Sequence, residues 1–269
     1  MEFGLIIIGD EILSGKRQDK HLPKVIELLG ERGLQLAWAR YVGDDRERIT
    51  ATLRDAFASG TAVFSCGGIG ATPDDHTRQC AAAALGVELA LHPQARDLIL
   101  ERMREIAAEQ GQVFEPERDD NRHRLNMGVF PVGAEIIPNP YNKIAGFSCA
   151  GPAGGSVHFV PGFPVMAWPM IAGVLDTLYA PWHGRDRQEE RSVIVFGAME
   201  AALTPLMEAI EAGHDGVKVF SLPSVDHPQH GRHIELGVKG RGDRVAPAYQ
   251  ALIEGLAQHG ARTGPELVR

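Results

Sequence analysis

The chain has 269 residues, 44% apolar and 23% charged, which is room for one large domain or for a medium and a small one, with little left for disorder. Its 27 basic and 35 acidic residues leave a net charge of −8, so it lacks the electrostatic footprint of a nucleic-acid binder, although backbone amides and a few cations can still hold an anion locally. Cys66, Cys80 and Cys149 are too few for a disulfide framework, Met1 to Ile8 is too short for a signal peptide, and no apolar run nears the roughly 20 residues of a membrane span, so a soluble cytoplasmic protein is expected.

Phe3 to Ile8 is an unbroken apolar run of the kind found in strands buried on both faces. His21 to Glu31 has helical periodicity and Gly33 stops it. Leu34 to Val42 reads as a strand, Arg46 to Ala58 as a helix, Ala62 to Ser65 as a short buried strand and Thr77 to Leu85 as a helix. This alternation predicts βαβ units with right-handed crossovers. A long helix over about Gln94 to Glu109 follows. Residues 111 to 133 read as a loop-rich excursion with a short helix near Asp120 to Leu125. Glu135 to Ile137 and Val157 to Val160 are expected strands, and Pro164 to Leu178 a helix opened by proline. Residues 1–180 are thus expected to form one α/β domain with three α/β/α layers, residues 181–190 a charged linker, and residues 191–269 a small α+β domain of order β-α-β-β-α.

The most informative segment is Gly67-Gly68-Ile69-Gly70-Ala71-Thr72-Pro73-Asp74-Asp75-His76-Thr77, which follows a strand and precedes a helix. Glycines there let the backbone take positive φ and approach a ligand, and free amides beside a helix start suit an anion. Asp74 and Asp75 fit that picture if one caps the helix or if one holds a cation that bridges to phosphate. Two further strand ends finish in acids, at Gly9-Asp10-Glu11 and at Gly43-Asp44-Asp45. If these strands are parallel neighbours, the acids share one edge and could bind Mg²⁺ or serve as general bases; helix capping is the plainer account, above all for Asp45. Pro161-Gly162-Phe163-Pro164 and Asn139-Pro140-Tyr141-Asn142 are rigid turns that would be unremarkable alone.

In their order and spacing, GDEILSG, VGDD, GGIGATPDDHT and PGFP together resemble the MoaB/Mog-type molybdopterin-binding domain, in the version that opens CinA proteins. The resemblance covers roughly residues 1 to 180, and the remainder resembles the small KH-like domain that follows in CinA relatives; their C-terminal deamidase domain has no counterpart in this sequence. It implies a ligand site made by Gly67, Gly68, Ile69, Gly70, Ala71, Thr72, Asp74, Asn139, Pro161, Gly162 and Pro164. It implies catalytic work for Asp75 and for Asp44 or Asp45, and a divalent metal (Mg or Co) on Asp10, Glu11 and Asp75. The implied ligand is a phosphorylated pterin or nucleotide, the implied activity is hydrolysis of a nucleotide pyrophosphate of the ADP-ribose type, and the implied assembly is a homodimer or homotrimer. Two departures bear on activity: Ile69 stands where threonine is usual, and Met166 where CinA proteins usually carry glutamate. Both allow the alternative of a non-catalytic molybdopterin or nucleotide sensor.

Three other features are set aside at this stage. His227, His230 and His233 recur at three-residue spacing, but in a stretch that reads as a loop between strands. Gly213-His214-Asp215-Gly216 spells a GxxG but lies between a helix and a strand, so it reads as a turn and nucleic acid is not an expected partner. Cys66 has no histidine fixed beside it and reads as a small buried residue.

Overall fold

A computed structural model describes residues 1–185 and 188–268, leaving aside the side chains at positions 120 and 188. Two compact units make up the chain, Met1–His183 and Gly184–Arg269. The segment expected as a linker, 181–190, holds the end of a 3-10 turn at Ala180–Trp182 and the first residues of a strand at Gln188, while its positions 186 and 187 lie outside the described residues.

The first unit runs β1 (Phe3–Ile8), α1 (Asp10–Leu13), α2 (His21–Gly30), β2 (Leu36–Val42), α3 (Arg46–Ala58), β3 (Ala62–Cys66) and α4 (Thr77–Leu85). It continues through β4 (Leu89–Leu91), α5 (Pro93–Glu109), α6 (Asp119–Leu125), β5 (Val129–Pro131), β6 (Glu135–Ile137), β7 (Gly146–Ala150), β8 (Ser156–Val160) and α7 (Pro164–Leu178). The main sheet has the order β2-β1-β3-β8-β7-β6. Its first four strands are mutually parallel, and β7 and β6 extend it antiparallel. All six residues of β1 are buried because both faces of the sheet are covered. Phe3, Leu5 and Ile7 pack with Val25 and Leu29 of α2 and Met170, Ile171 and Val174 of α7. Ile6 and Ile8 pack on the other side with Ile49, Leu53 and Phe57 of α3 and with Cys80 and Ala81 of α4. This is a three-layer α/β/α arrangement.

The excursion at 111–133 holds the expected short helix as α6 and, beyond what its polar composition suggests, the strand β5, which pairs antiparallel with β4. Ile99, Leu100 and Met103 give α5 a small core of its own, with Phe114, Leu125 and Met127 against it.

The second unit runs β9 (Gln188–Phe196), α8 (Glu200–Gly213), β10 (Lys218–His227), β11 (Gly231–Arg241), α9 (Gly242–Gln258) and β12 (Arg262–Val268). It is the expected small α+β unit with one strand more, β12, than the sequence pattern disclosed. The sheet is antiparallel throughout, in the order β10-β11-β9-β12. The β-α-β-β-α-β order and this strand order are those of a split β-α-β layout. Both helices cover one face, where Val193, Val195, Leu236 and Val238 meet Leu203, Val245, Leu252 and Leu256. Among the described residues, no helix is long and apolar enough to cross a membrane.

Candidate functional site

Because β2, β1, β3 and β8 are parallel neighbours, the loops that follow them open on one edge of the sheet. From β1 the chain crosses to β2 on one side and returns to β3 on the other, so the ends of β1 and β3 flank a switch point, where open α/β sheets take their ligands. Gly9 N–H donates to Val42 O at 3.0 Å and Gly67 N–H to Val160 O at 3.0 Å, which carries the pairing one residue beyond the strands and ties the loops together.

The acidic loops do meet. Asp10 N–H donates to Asp44 Oδ2 at 2.9 Å, and Asp44 N–H donates to Asp10 Oδ1 at 3.1 Å. Burial, together with the charges of Asp10, Glu11 and Asp74, holds the Asp44 carboxyl above its ordinary range, opposed by the bond from the Asp10 amide. Asp45 does something else: its Oδ1 accepts from Arg48 N–H at 2.8 Å, so it is the N-cap of α3. Asp45→Ala should therefore cost about 1 kcal/mol in a urea melt, while Asp45→Asn should be close to neutral. Equal effects of the two substitutions would show that the cap contributes nothing.

Asp75 is turned inward on its own loop, where its Oδ2 accepts from Thr72 N–H at 2.9 Å and from Thr72 Oγ1–H at 2.5 Å. Among the described residues, no group of three or more His, Cys, Asp or Glu side chains is placed to hold a metal ion. The expected metal residues Asp10, Glu11 and Asp75 are not gathered into such a group, and Asp10 Oδ1 and Asp75 Oδ2 each accept from a neighbouring amide.

In the glycine loop, positive φ falls at Gly67 (107°) and Gly68 (68°). Gly70 is needed for a different reason, because a Cβ there would lie 2.5 Å from Asp75 Oδ2. The loop is fixed from below by Thr77, whose Oγ1 donates to Gly67 O at 3.1 Å and whose N–H donates to Gly68 O at 3.0 Å. Ile69 points into the core, with Ile8, Ile49 and Phe130 in the same cluster, so that side chain is a packing group and only its backbone remains on the loop surface. Ala71, Thr72 and Asp74 are exposed. Cys66 is buried at the end of β3, and burial pushes its thiol up, as befits an unreactive residue.

Two buried side chains that the sequence did not single out brace the site. Arg78, in the first turn of α4, donates through Nη2 to Gly70 O at 2.6 Å and through Nη1 to Asn126 O. A cation in the first turn of a helix opposes the helix dipole, and that misfit was the signal available in the sequence. His21 opens α2 and donates through Nε2 to Gly162 O at 3.0 Å, fixing the PGFP turn. Gly162 lies against Gly67, whose Cα would be 3.5 Å from a Cβ at position 162. Asn139 braces its own turn, donating to Asn142 Oδ1 and Ile144 O and accepting from Tyr141 N–H, which leaves it little for a ligand.

Beside the PGFP turn is a pocket of about 320 Å³, at the small end of ligand cavities. Glu11, Arg17, Lys20, His21, Gly162 and Pro164 line it. Among the described residues, the Arg17 and Lys20 side chains have no carboxylate partner. With Nε2 donating to a carbonyl, a neutral His21 carries its lone pair on Nδ1, and that atom is buried without a partner.

The loops of the first unit gather at the switch point of an open α/β sheet, the place where proteins of this class take their ligands. Residues 4–180 match the family described as "Probable molybdopterin binding domain", so the chain belongs to that family and is a MoaB/Mog-type domain protein related to CinA. A "CinA-like protein" of Anaeromyxobacter sp. (strain K) is 34% identical over 166 residues, covering 61% of this chain and 38% of the relative. A "CinA-like protein" of Geobacter metallireducens is 26% identical along 100% of this chain and 61% of its own length. The chain therefore spans less than two thirds of these relatives. A solved structure, the protein CinA "with unknown function from Thermoplasma acidophilum", is 27% identical with a TM-score of 0.54, covering 65% of this chain and 96% of that one.

Proposed function

We propose that the first unit binds a phosphorylated pterin or nucleotide, with the phosphate against the amides of Gly68 to Ala71 and the ring toward the pocket beside the PGFP turn. The observation that carries this reading is the meeting of the glycine loop and the Gly162 turn at the switch point, next to a pocket whose two cations lack acid partners. Membership of a molybdopterin-binding family points the same way. Pyrophosphate hydrolysis through Asp75 draws less support, because that carboxylate is occupied by Thr72 and the acids do not form a cation site.

Titrating the whole chain with molybdopterin, ADP-ribose and ATP while following the thermal midpoint tests this. A ligand that binds only the folded state at about 100 times its Kd adds about 2.7 kcal/mol. No shift with any of the three would end the proposal. Asp75→Asn sharpens the result. An amide retains an oxygen acceptor for both Thr72 bonds, so affinity should hold to within about threefold, or under 1 kcal/mol. A loss of affinity of tenfold or more, roughly 1.4 kcal/mol, would instead place the Asp75 charge in the ligand contact.

A further inference from the structure

The second unit holds a larger cavity, about 820 Å³, that the reading above does not use. It lies at one end of the antiparallel sheet, where a single cross-strand row runs Ser224, His233, Phe196, Arg262 on β10, β11, β9 and β12. Residues directly opposite one another in a sheet share a face. The next row contains Ile234 and Val195, which face the helices, so this row is on the helix-free side. The cavity wraps round this end of the sheet: Phe196, His233 and Arg262 line it from the helix-free face, and Arg232, Ile234 and Glu200 line it from the helix side, with His230 between them.

Three properties of this lining point to a ligand. First, the rings form a wall: Phe196 lies 6.3 Å from His230 and 6.5 Å from His233, and the Arg262 guanidinium sits 4.8 Å from the Phe196 ring. Secondly, the cations are unspent. Elsewhere in the unit Arg191 is paired with Glu189, Lys218 with Glu211 and Arg244 with Asp215. Among the described residues, Arg232 and Arg262 have no carboxylate partner. In a chain with eight more acids than bases, two unpaired guanidinium groups on one cavity are a counter-charge waiting for an anion. Thirdly, the single acid in the lining, Glu200, already accepts from Ser221 Oγ–H at 2.6 Å.

The obvious rival is a transition metal, since the His227, His230 and His233 rings lie 4.9 to 5.6 Å apart. Their hydrogen bonds argue against it. His227 Nδ1 accepts from the N–H groups of Gln229 and His230, which puts the proton of the neutral ring on Nε2 and leaves no lone pair for a metal. His233 Nδ1 donates to Gly231 O, leaving its Nε2 free as an acceptor, so at most His230 and His233 could ligate, and among the described residues no group of three is placed to hold a metal.

We propose that the second unit carries a ligand site of its own, which takes a planar heteroaromatic molecule bearing a phosphate, the ring stacked among Phe196, His230 and His233 and the phosphate held by Arg232 and Arg262. The site is independent of the one in the first unit.

NMR of the full-length chain tests this, with FMN and AMP as probes, riboflavin and inorganic phosphate as half-ligands, and Zn²⁺ as a separate arm. The ring signals of His230 and His233 report on this cavity, and those of His21 on the other, so failure here is distinguishable from failure of the first-unit reading. The expected result is a saturable shift of His230 and His233 with FMN or AMP, and binding at least about tenfold weaker for riboflavin or phosphate alone. Arg232→Gln combined with Arg262→Gln should weaken the probe at this cavity by about tenfold or more, while the thermal midpoint changes only by the loss of the Arg262 contact with Phe196, because neither guanidinium has a carboxylate partner to lose. Arg262→Lys should fall between, keeping charge but not the planar stack. The proposal is overturned if neither probe moves these signals, if the double variant binds as wild type does, if riboflavin equals FMN, or if Zn²⁺ alone binds stoichiometrically at the three histidines.

Discussion

Gly67→Ala should destabilise the first unit by about 3 to 5 kcal/mol and abolish binding at the glycine loop, the range expected when backbone strain and a hard clash coincide. The position has φ 107°, which an alanine adopts only at a cost. More decisively, its Cβ would stand 2.3 Å from the carbonyl oxygen of Ile8. That atom belongs to the central strand β1, which is held by β2 on one side and β3 on the other, so it cannot step aside without opening the sheet. Gly133→Ala is the control: φ there is 87°, but nothing lies within 4 Å of the added carbon. It should cost only about 1 kcal/mol, the strain without the clash. Urea melts followed by tryptophan fluorescence measure both, because Trp38, Trp168 and Trp182 all lie in the first unit. Equal costs for the two substitutions would mean that the strand had yielded, and that the loop is not rigidly built on β1.

What the sequence made legible was whatever repeats with a period or ends in a turn. The apolar run Phe3 to Ile8 announced a strand buried on both faces, and the sheet buries all six residues. The acidic ends of three strands announced a shared edge, and the order β2-β1-β3 supplies it. Illegible were the short strands β4 and β5, with three residues each, which are too brief for alternation to show. Strand β7 was also hidden: Gly146 looks like a breaker in sequence, yet it is there because Phe159 O would be 2.3 Å from any Cβ. Strand β12 carries a glycine and a proline and pairs with a register shift, so its pattern is broken where a strand should repeat. Within the site, the direction of side chains was beyond reach. Asp45 before a helical run could be read as a cap, and it is one, but nothing in the letters turns Ile69 into the core or closes Asp75 back on Thr72. Those are choices of loop geometry, made by contacts with α4 and β1 that lie far along the chain.

Arg78→Met should separate the loop's shape from its ligand chemistry. Arg78 is buried, and its guanidinium bonds two carbonyls that belong to different segments, Gly70 in the glycine loop and Asn126 after α6. Burial pulls its pKa down from the ordinary guanidinium value, and the nearby Asp75 charge pulls it back up. Methionine fills similar space but donates nothing, so both carbonyls lose their partner. Each unsatisfied buried acceptor costs about 1 to 3 kcal/mol, so two span about 2 to 6 kcal/mol, and the exposure of Asn126 puts the expected loss in the lower half of that range. Lysine is the informative companion. It keeps the positive charge, but a single ammonium lacks the planar fork that serves two carbonyls at once. If Arg78 acts by shape, Arg78→Lys should lose stability and ligand affinity nearly as far as Arg78→Met. If it acts by charge, lysine should restore affinity while leaving stability low. The two bonds favour the first outcome, and the measurements are a urea melt and a binding isotherm on each variant. A methionine variant as stable as wild type would show that neither carbonyl depends on this side chain, and that the glycine loop is held by Thr77 alone.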